Sequence, residues 1–573
     1  MFLFDFFRSF LPLHNPLGFG AADYLVLALA LLLTGLTFLR AWLEPAARRL
    51  AERTAWCMLL LGLLPVVLRL LLLPRHPVPT PSGADDFSYL LLADTLRHFR
   101  LANPPHQFSR FFEAVFILQE PSYGSIFPLG QGIVLTLGWL LFGHPWAGVM
   151  LSVGALCALS YWMLRGWTTA GWSLAGGLLA VAAFGPLNQW MNLYWGGAVS
   201  GIAGCLVFGA LPRMREPVGR RNAAILGVGL GLQLLTRPFE FALLCLCVAA
   251  YFWRSVPRRL EITAAAIAPF VILMLAQNHA VTGHWATMPY QLSRYQYGVP
   301  ATFTFQPNPV PHRELTPEQQ LDYQAQSIIH GEGTDSVGAY IERWLDRVHF
   351  YRFFFFAPLY LALPFFIPAV RQYRFAWVLG TLALFSLGAN FYPYFYPHYI
   401  AALTCLMLLV AVTALARLRA APLLLSICAA QFLFWYGIHA LASENVFLAT
   451  ARYETIDLIN YNDPEGRIAV NRKLDAAGGK QLVFVRYSTQ HAFHEWIHND
   501  ANIDAARTVW AADLGPAENA KLRAYFPDRT VWLAEPDALP PRVFPYAFVA
   551  TPGGPFQSGP MKNDSKIDEI GKQ

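Results

Sequence analysis

Two adjacent carboxylates, Asp85 and Asp86, are the sharpest chemical feature of the sequence. They stand in the string GADDFSYLLLADTLRHFRLANPP, shortly after an apolar stretch long enough to cross a membrane. Such a pair could serve as a general base, bind a divalent cation, or cap the helix that follows by accepting hydrogen bonds from its free backbone N–H groups. The two residues by themselves leave these three roles open.

The elements around this pair are those of a polytopic α-helical membrane protein. Only 14% of the 573 residues are charged and 55% are hydrophobic, whereas roughly 25% are charged in an ordinary soluble domain. About 12 to 13 apolar stretches suit helices that span or re-enter the membrane. We predict spans at 22–40, 56–73, 146–164, 171–186, 195–212, 222–236, 238–254, 262–277, 352–370, 375–389, 398–416 and 421–441, with a further apolar helix at 129–143 that spans or re-enters.

Arginine clusters set the predicted orientation. They lie at 40–53, 213–221, 254–259, 371–374 and 417–419. Positive residues between apolar segments are typical of cytoplasmic loops, so the loops 74–128 and 278–350 are predicted to lie outside. This role accounts for the net charge of +6 and gives no reason to expect a nucleic-acid partner.

Two segments of the first outer loop have an amphipathic pattern. Apolar side chains recur at helical spacing around residues 89–99 and again around 108–115. We predict two helices that lie on the outer surface of the membrane.

The end of the chain differs in composition from the rest. Residues 445–573 carry 30 of the 78 charged residues and all six lysines. The strings KQLVFVRY, ARTVWAA and RTVWLAEP are typical of strands, and GRIAVNRKLDAA and PAENAKLRAYF are typical of helices. We predict a transmembrane domain over 1–441, a small extracytoplasmic α/β domain over 442–552, and a disordered tail over 553–573.

The motif around the acidic pair resembles a known family. Asp85, Asp86, Tyr89 and Ala93, followed by RLANPP and QEPSYGSIFPLGQG, are similar to the first extracytoplasmic loop of membrane-embedded GT-C glycosyltransferases. The resemblance is to bacterial aminoarabinose transferases, protein O-mannosyltransferases and their relatives, and it extends to TRPFE, TGHWATMPY and FYPYFYPHY. It implies transfer of a sugar from a polyprenyl-phosphate carrier to a lipid, glycan or protein acceptor at the outer face of the membrane.

The resemblance implies that Asp85 is the essential carboxylate, with Asp86 beside it. Displacement of phosphate from an anomeric carbon has an oxocarbenium-like transition state, so a carboxylate can take the proton of the acceptor hydroxyl, as in inverting sugar chemistry. The aminoarabinose branch holds the carrier phosphate with a lysine before paired prolines, whereas this chain has Glu120 there and no lysine before Lys473. A phosphate ligand in the membrane part must then be Arg, His, a backbone amide or a metal.

Candidate substrate-binding residues are polar or aromatic side chains expected on the outer side. The arginines and the histidine could hold phosphate, although arginines that snorkel to the interface look the same in sequence. The asparagines could bind sugar hydroxyls. The candidates are Tyr89, Arg97, Arg100, Glu120, Tyr123, Gln131, Asn188, Asn192, Arg237, Arg294 and His398. No cofactor is required by these residues, a divalent cation stays open, and the expected partners are the lipid-linked sugar, its acceptor and membrane lipid.

Two other functions fit part of the sequence. A transporter or flippase of lipid-linked sugars would have the same apolar helices, but such proteins tend to carry ionisable groups or repeats near the membrane midplane. A zinc peptidase is suggested by the HExxH pattern of His494, Glu495 and His498, which on a helix puts two imidazoles on one face. The predicted location is the bacterial inner membrane, with the C-terminal domain on the periplasmic side.

Overall fold

The structure is a computed structural model. It describes residues 28, 30–81, 83–214, 220–253, 259–331, 335–443, 466–489, 491 and 495–546. The predicted span at 22–40 therefore lies partly outside the described residues, and the predicted tail at 553–573 lies wholly outside them.

Most of the described chain is helical, as its apolar stretches predict. The α-helices before residue 260 are α1 (Arg40–Glu52), α2 (Thr54–Leu71), α3 (Ala84–Arg97), α4 (Leu129–Phe142), α5 (Pro145–Leu164), α6 (Ala170–Phe184), α7 (Gln189–Asn192), α8 (Ala198–Arg213), α9 (Arg220–Thr236) and α10 (Pro238–Tyr251). Those that follow are α11 (Leu260–Thr282), α12 (Pro289–Tyr297), α13 (Pro317–His330), α14 (Val337–Asp346), α15 (Tyr373–Ala389), α16 (Thr404–Leu415), α17 (Ala421–Leu441), α18 (Arg467–Ala477) and α19 (Pro516–Tyr525).

Many of these helices suit a membrane. Five described helical segments are long and apolar enough to cross one, namely α2, α5, α11, α17 and the segment Pro397–Leu415 that ends in α16. Five shorter apolar helices, α4, α6, α8, α10 and α15, accompany them. Their ends lie within a few residues of the predicted spans, so the predicted α-helical membrane architecture is confirmed.

Two predicted spans are not continuous α-helices. The span predicted at 352–370 consists of 3-10 segments at Arg347–Phe354, Ala357–Leu361 and Leu363–Arg371. Three prolines interrupt its sequence FFFFAPLYLALPFFIPAV, and each removes a backbone donor and clashes with the preceding turn. The span predicted from 398 likewise starts as a 3-10 segment, Pro397–Leu403.

The C-terminal part is an α/β unit. A short antiparallel pair, β1 (Ile117–Leu118) and β2 (Gly124–Ser125), lies earlier, in the first outer loop, and the C-terminal strands are β3 (Gln481–Val485), β4 (Thr508–Ala512), β5 (Thr530–Glu535) and β6 (Arg542–Pro545). Their order is β4-β3-β5-β6, with β3 parallel to β4 and β5, and β6 antiparallel to β5. The predicted strings contain β3, β4 and β5, whereas the short, proline-flanked β6 has no alternating pattern that would predict it.

The apolar faces of the first outer loop are covered by other parts of the protein. Helix α3 forms where it was predicted, but Tyr89 and Leu92 are buried against residues of α4 and α5. The second predicted helix, around 108–115, is only a 3-10 turn at Ser109–Phe112, and its phenylalanines pack on the C-terminal sheet. The prediction of two helices lying on the membrane surface is therefore wrong, because other protein elements cover these apolar faces.

Arg69 ties the end of α2 to the chain that leads to the acidic pair. Its fully buried guanidinium donates to Asn192 Oδ1 at 2.7 Å, to the His76 carbonyl at 2.9 Å and to the Pro77 carbonyl at 3.0 Å.

We expect Arg69→Met to destabilise the fold by about 3 kcal/mol, because buried acceptors lose a charged donor. Thermal unfolding in detergent measures this. The exposed Arg48→Met is the control and should change little; equal melting of both variants would contradict the expectation.

Candidate active site

Asp85 lies in the first turn of α3 with part of its surface exposed. The residue before the helix is Gly83, so neither carboxylate is its N-cap. Within the described part of the chain, no ion pair within 4 Å engages the Asp85 carboxylate, although Arg237, Tyr89, Tyr396 and Tyr399 interact with it electrostatically. Burial raises the pKa of the Asp85 carboxyl to about 6, while the positive charge of Arg237 opposes the rise.

Arg237 occupies the break between α9 and α10. Pro238 disfavours a helical conformation in the residue before it, and Arg237 is accordingly extended, with φ −149° and ψ 91°. Its guanidinium lies 4.4 Å from the centre of the Tyr399 ring and 3.6 Å from Glu240 Oε1. A fixed positive charge thus interacts with both the Asp85 and the Glu240 carboxylates.

Aromatic side chains form a wall around this charge cluster. The His398 ring is 4.7 Å from that of Tyr399 and meets Trp195 edge-on at 4.6 Å. Tyr89 stacks on Phe127 at 4.3 Å. These rings give the cluster apolar sides, which strengthens electrostatic interactions with a bound anion.

The loop that carries part of this wall is held by an arginine. Arg347 donates to the carbonyls of Tyr392 at 2.6 Å and Pro393 at 3.0 Å. Tyr392 in turn donates to Glu240 Oε2 at 3.4 Å. The prolines of FYPYFYPHY prevent a regular helix through the loop, so side-chain hydrogen bonds of this kind fix its shape.

Asp86 binds the backbone of the segment between α7 and α8. Its Oδ1 accepts a hydrogen bond from the Tyr194 backbone N–H at 2.9 Å, and the side chain is buried. Gln131 donates to the Tyr194 carbonyl at 2.6 Å. Asp86 and Gln131, both predicted site residues, therefore hold the neighbouring loop in place.

The two asparagines predicted to bind sugar are used inside the protein. Asn188 is the N-cap of α7 and accepts from the Trp190 N–H at 2.8 Å. Asn192 accepts from Arg69 and donates to the carbonyls of Pro186 and Asn188. Both are buried, so their amides serve backbone capping and arginine binding at positions separate from the cluster.

The remaining predicted residues have other partners, although the charge of Arg294 also interacts with Tyr392 of the loop beside the cluster. Arg97 pairs with Asp94 at 2.5 Å at the other end of α3, which at 1.5 Å per residue is roughly 18 Å along the helix from Asp85. Arg100 is exposed just beyond it. Glu120 pairs with Arg313 at 3.0 Å, Tyr123 donates to the Asn499 carbonyl at 3.0 Å, and Arg294 donates to the carbonyls of Pro300 and Ala301.

Two carboxylates of the cluster escaped sequence reasoning. Glu240 belongs to the TRPFE string, and its i, i+3 spacing from Arg237 on a helix was the available signal. Asp322 of α13 is buried, accepts from Gln326 Nε2 at 2.9 Å and interacts electrostatically with Asp85. Burial raises the pKa of Asp322 to about 7, and the charges of Glu495 and Asp85 add to the rise. Nothing in the sequence near Asp322 marks it, because folding of the second outer loop brings it here.

The part of the HExxH pattern that the structure describes is not the helix that a zinc peptidase needs. His494 lies outside the described residues, and residues 495–500 have no helical structure. Glu495 accepts from Tyr487 at 3.0 Å and from the Val115 N–H at 3.0 Å. Among the described residues, no three His, Cys, Asp or Glu side chains are grouped to hold a metal ion.

Comparison with known proteins finds likenesses among solved structures only. No protein-family model and no curated protein matches the chain. The apo-state crystal structure of ArnT from Cupriavidus metallidurans aligns over 84% of this chain and 93% of its own, at 13% identity and a TM-score of 0.46. The archaeal oligosaccharyltransferase AglB from Archaeoglobus fulgidus, in complex with an inhibitory peptide and a dolichol-phosphate, aligns over 84% and 69%, at 12% identity and a TM-score of 0.35.

Proposed function

We propose that the protein is a GT-C type glycosyltransferase that moves a sugar from a polyprenyl-phosphate carrier to a hydroxyl of a lipid, glycan or protein. The observation that carries the proposal is the meeting of Asp85 and Arg237 in one aromatic-walled cluster. A base and a phosphate-binding cation are the two groups that this reaction requires. The motif around Asp85, which resembles that of the GT-C family, supports the same assignment.

Each group has one role in the proposed reaction. Asp85 takes the proton as the acceptor oxygen forms a bond to the anomeric carbon, and the bond from that carbon to the phosphate oxygen breaks. The electron pair leaves with the phosphate, whose added negative charge Arg237 stabilises. Attack from the face opposite the phosphate inverts the configuration of the sugar.

An apolar cavity offers a place for the lipid tail of the donor. It has a volume of about 370 Å³, and Tyr351 is among its almost wholly apolar lining side chains. The Tyr351 ring is 6.5 Å from that of Phe395, which is 6.2 Å from that of Tyr399, on which Arg237 stacks. The apolar cavity is therefore two aromatic rings away from the cation proposed to bind the phosphate, which is the arrangement of parts that a polyprenyl phosphate requires.

The proposed location is the bacterial inner membrane, with the cluster and the C-terminal domain on the periplasmic side. The arginine-rich loops support this orientation. Alkaline phosphatase fused after Gln573 tests it, because this enzyme is active only outside the cytoplasm. An active fusion is expected, and an inactive fusion in a full-length, stably produced protein would reverse the topology.

Release of the carrier tests the proposed reaction. The purified protein is incubated with radiolabelled polyprenyl-phosphate sugars of several sugar classes and an acceptor extract, and free polyprenyl phosphate is measured. Release that requires the acceptor is expected for at least one donor. Vesicles that move the labelled lipid across the bilayer but never cleave it would instead indicate a flippase.

Activity should depend on pH through Asp85. A base must be ionised to accept a proton, and burial raises the pKa of Asp85 to about 6. We therefore expect kcat/KM to fall tenfold per pH unit well below 6 and to level off above it, measured between about pH 4.5 and 8.5. Thermal unfolding across the same range is the control for stability. A rate that is independent of pH below 6 would exclude Asp85 as the base.

A further inference from the structure

A loop of the C-terminal domain grips the first outer loop at several points. The Ala501 N–H donates to Asp94 Oδ2 at 2.7 Å, and Tyr123 donates to the Asn499 carbonyl at 3.0 Å. Glu495 accepts from the Val115 N–H. The loop thus contacts both the far end of α3 and the chain that follows it. Asp85 lies at the opposite, near end of α3.

The near end of α3 is held by a clamp on Phe87. The Phe87 ring stacks on the His498 imidazole at 4.0 Å with an angle of 23° between the planes. The Arg467 guanidinium lies 4.7 Å from the centre of the same ring. Arg467 Nη1 is 3.3 Å from His498 Nδ1, so the two clamp residues also contact each other.

Helix geometry links the position of Phe87 to the direction of the Asp85 side chain. Successive residues of an α-helix point about 100° apart, so Asp85, Asp86 and Phe87 face three different directions. Asp86 is bound by the Tyr194 N–H between α7 and α8, and Phe87 packs against the C-terminal domain. With these two directions fixed, the third direction is that of Asp85, toward Arg237. No side-chain hydrogen bond caps the helix at Gly83, so the contacts of Asp86 and Phe87 contribute directly to the orientation of its first turn.

We infer that the C-terminal domain is a positioning element of the active site, in which Arg467 and His498 clamp Phe87 and thereby set the direction in which Asp85 points. The inference deepens the proposed function and rests on it, since Asp85 is taken as the base. It also gives a role to the HEWIH string other than metal binding. Arg467 and His498 act through Phe87 and are positioning residues.

Loss of the clamp should affect turnover more than binding. A misplacement of about 1 Å at reacting atoms can lower a rate by about 100-fold. We expect His498→Ala to lower kcat by roughly 10- to 100-fold while KM for the lipid-linked donor changes less than about threefold. His498→Phe keeps a flat ring against Phe87 and should restore most of kcat.

A core substitution elsewhere in the same domain is the matched control. Leu522 is fully buried in α19, whereas Arg467 lies in α18 and His498 lies in the chain between β3 and β4, so Leu522→Ala should lower stability while leaving the kcat of the folded protein unchanged. Equal kcat losses in His498→Ala and His498→Phe, or a loss in Leu522→Ala as large as in His498→Ala, would overturn the inference.

Hydrogen–deuterium exchange separates this inference from the proposed reaction. The full-length protein in detergent is labelled, and exchange is followed in peptides covering residues 83–90. Faster exchange there in His498→Ala, but not in His498→Phe or Leu522→Ala, is expected whether or not the sugar donor is known. Unchanged exchange in His498→Ala overturns the clamp, whereas absence of transferase activity in the unaltered protein overturns only the proposed function.

Discussion

Replacing Asp85 by Asn is expected to lower the rate of sugar transfer by about 100- to 10,000-fold, the usual contribution of a general base. The amide has nearly the size of the carboxylate but cannot accept the proton of the acceptor hydroxyl. Initial rates of polyprenyl-phosphate release, corrected for the amount of folded protein, measure the effect. KM for the donor should change little, because Asp85 acts on the acceptor side.

Asp86→Asn is the matched control for that substitution. The Asn side chain still offers an oxygen to the Tyr194 N–H, so the anchor of the loop is retained. We expect a loss of less than about tenfold, since no proton transfer is assigned to Asp86. If Asp86→Asn lost as much activity as Asp85→Asn, or if Asp85→Asn stayed fully active, the assignment of the base would be wrong.

Replacing Arg237 by Gln should have the second largest effect, a loss of about 100- to 1,000-fold in kcat, as found when a fixed donor to a developing negative charge is removed. Arg237 also opposes the rise of the Asp85 pKa. The acid limb of the pH profile should therefore move to higher pH in this variant. Steady-state rates as a function of pH measure both changes together.

Arg97→Gln is the peripheral control for Arg237. Arg97 is also predicted on the outer side, but its guanidinium pairs with Asp94 at the other end of α3, roughly 18 Å along the helix from Asp85. We expect a small change in kcat and no shift of the acid limb. Equal losses in the two variants, or an unshifted limb in Arg237→Gln, would contradict the role given to Arg237.

The fold follows closely from the sequence where one local pattern decides it. Long apolar stretches become the helices of the membrane part, and alternating apolar residues become β3, β4 and β5. The prediction of a continuous helical span was wrong at 352–370, because prolines interrupt the apolar sequence and the chain forms 3-10 segments over Arg347–Arg371. The prediction that α3 lies on the membrane surface was also wrong, because other parts of the protein cover its apolar face. Amphipathicity shows which face is covered but not what covers it.

The site was only partly predictable. Sequence reasoning selected Asp85, Tyr89, Arg237 and His398, and the structure brings these four together. It also selected residues by the side of the membrane on which they were expected, and that criterion cannot tell a ligand from a structural contact. Arg97, for example, stacks on Trp139 at 4.0 Å at the far end of α3.

Site residues that come from distant parts of the chain could not be predicted from one sequence. Asp322 comes to the cluster from the second outer loop, and Arg467 and His498 come to Phe87 from the C-terminal domain. They are hundreds of residues from Asp85 in the sequence, whereas helix and strand periodicity relates only residues that are a few positions apart. Only the packing of the domains against each other reveals them.

A structure of the protein with a polyprenyl phosphate bound tests the central claim most directly. The account predicts that phosphate oxygens lie about 3 Å from the Arg237 guanidinium, with the Asp85 carboxylate facing the space beside the phosphate where the sugar and the acceptor meet. A phosphate held elsewhere, for instance at Arg97 or Arg100, or protein packed between Asp85 and the head group, would contradict it.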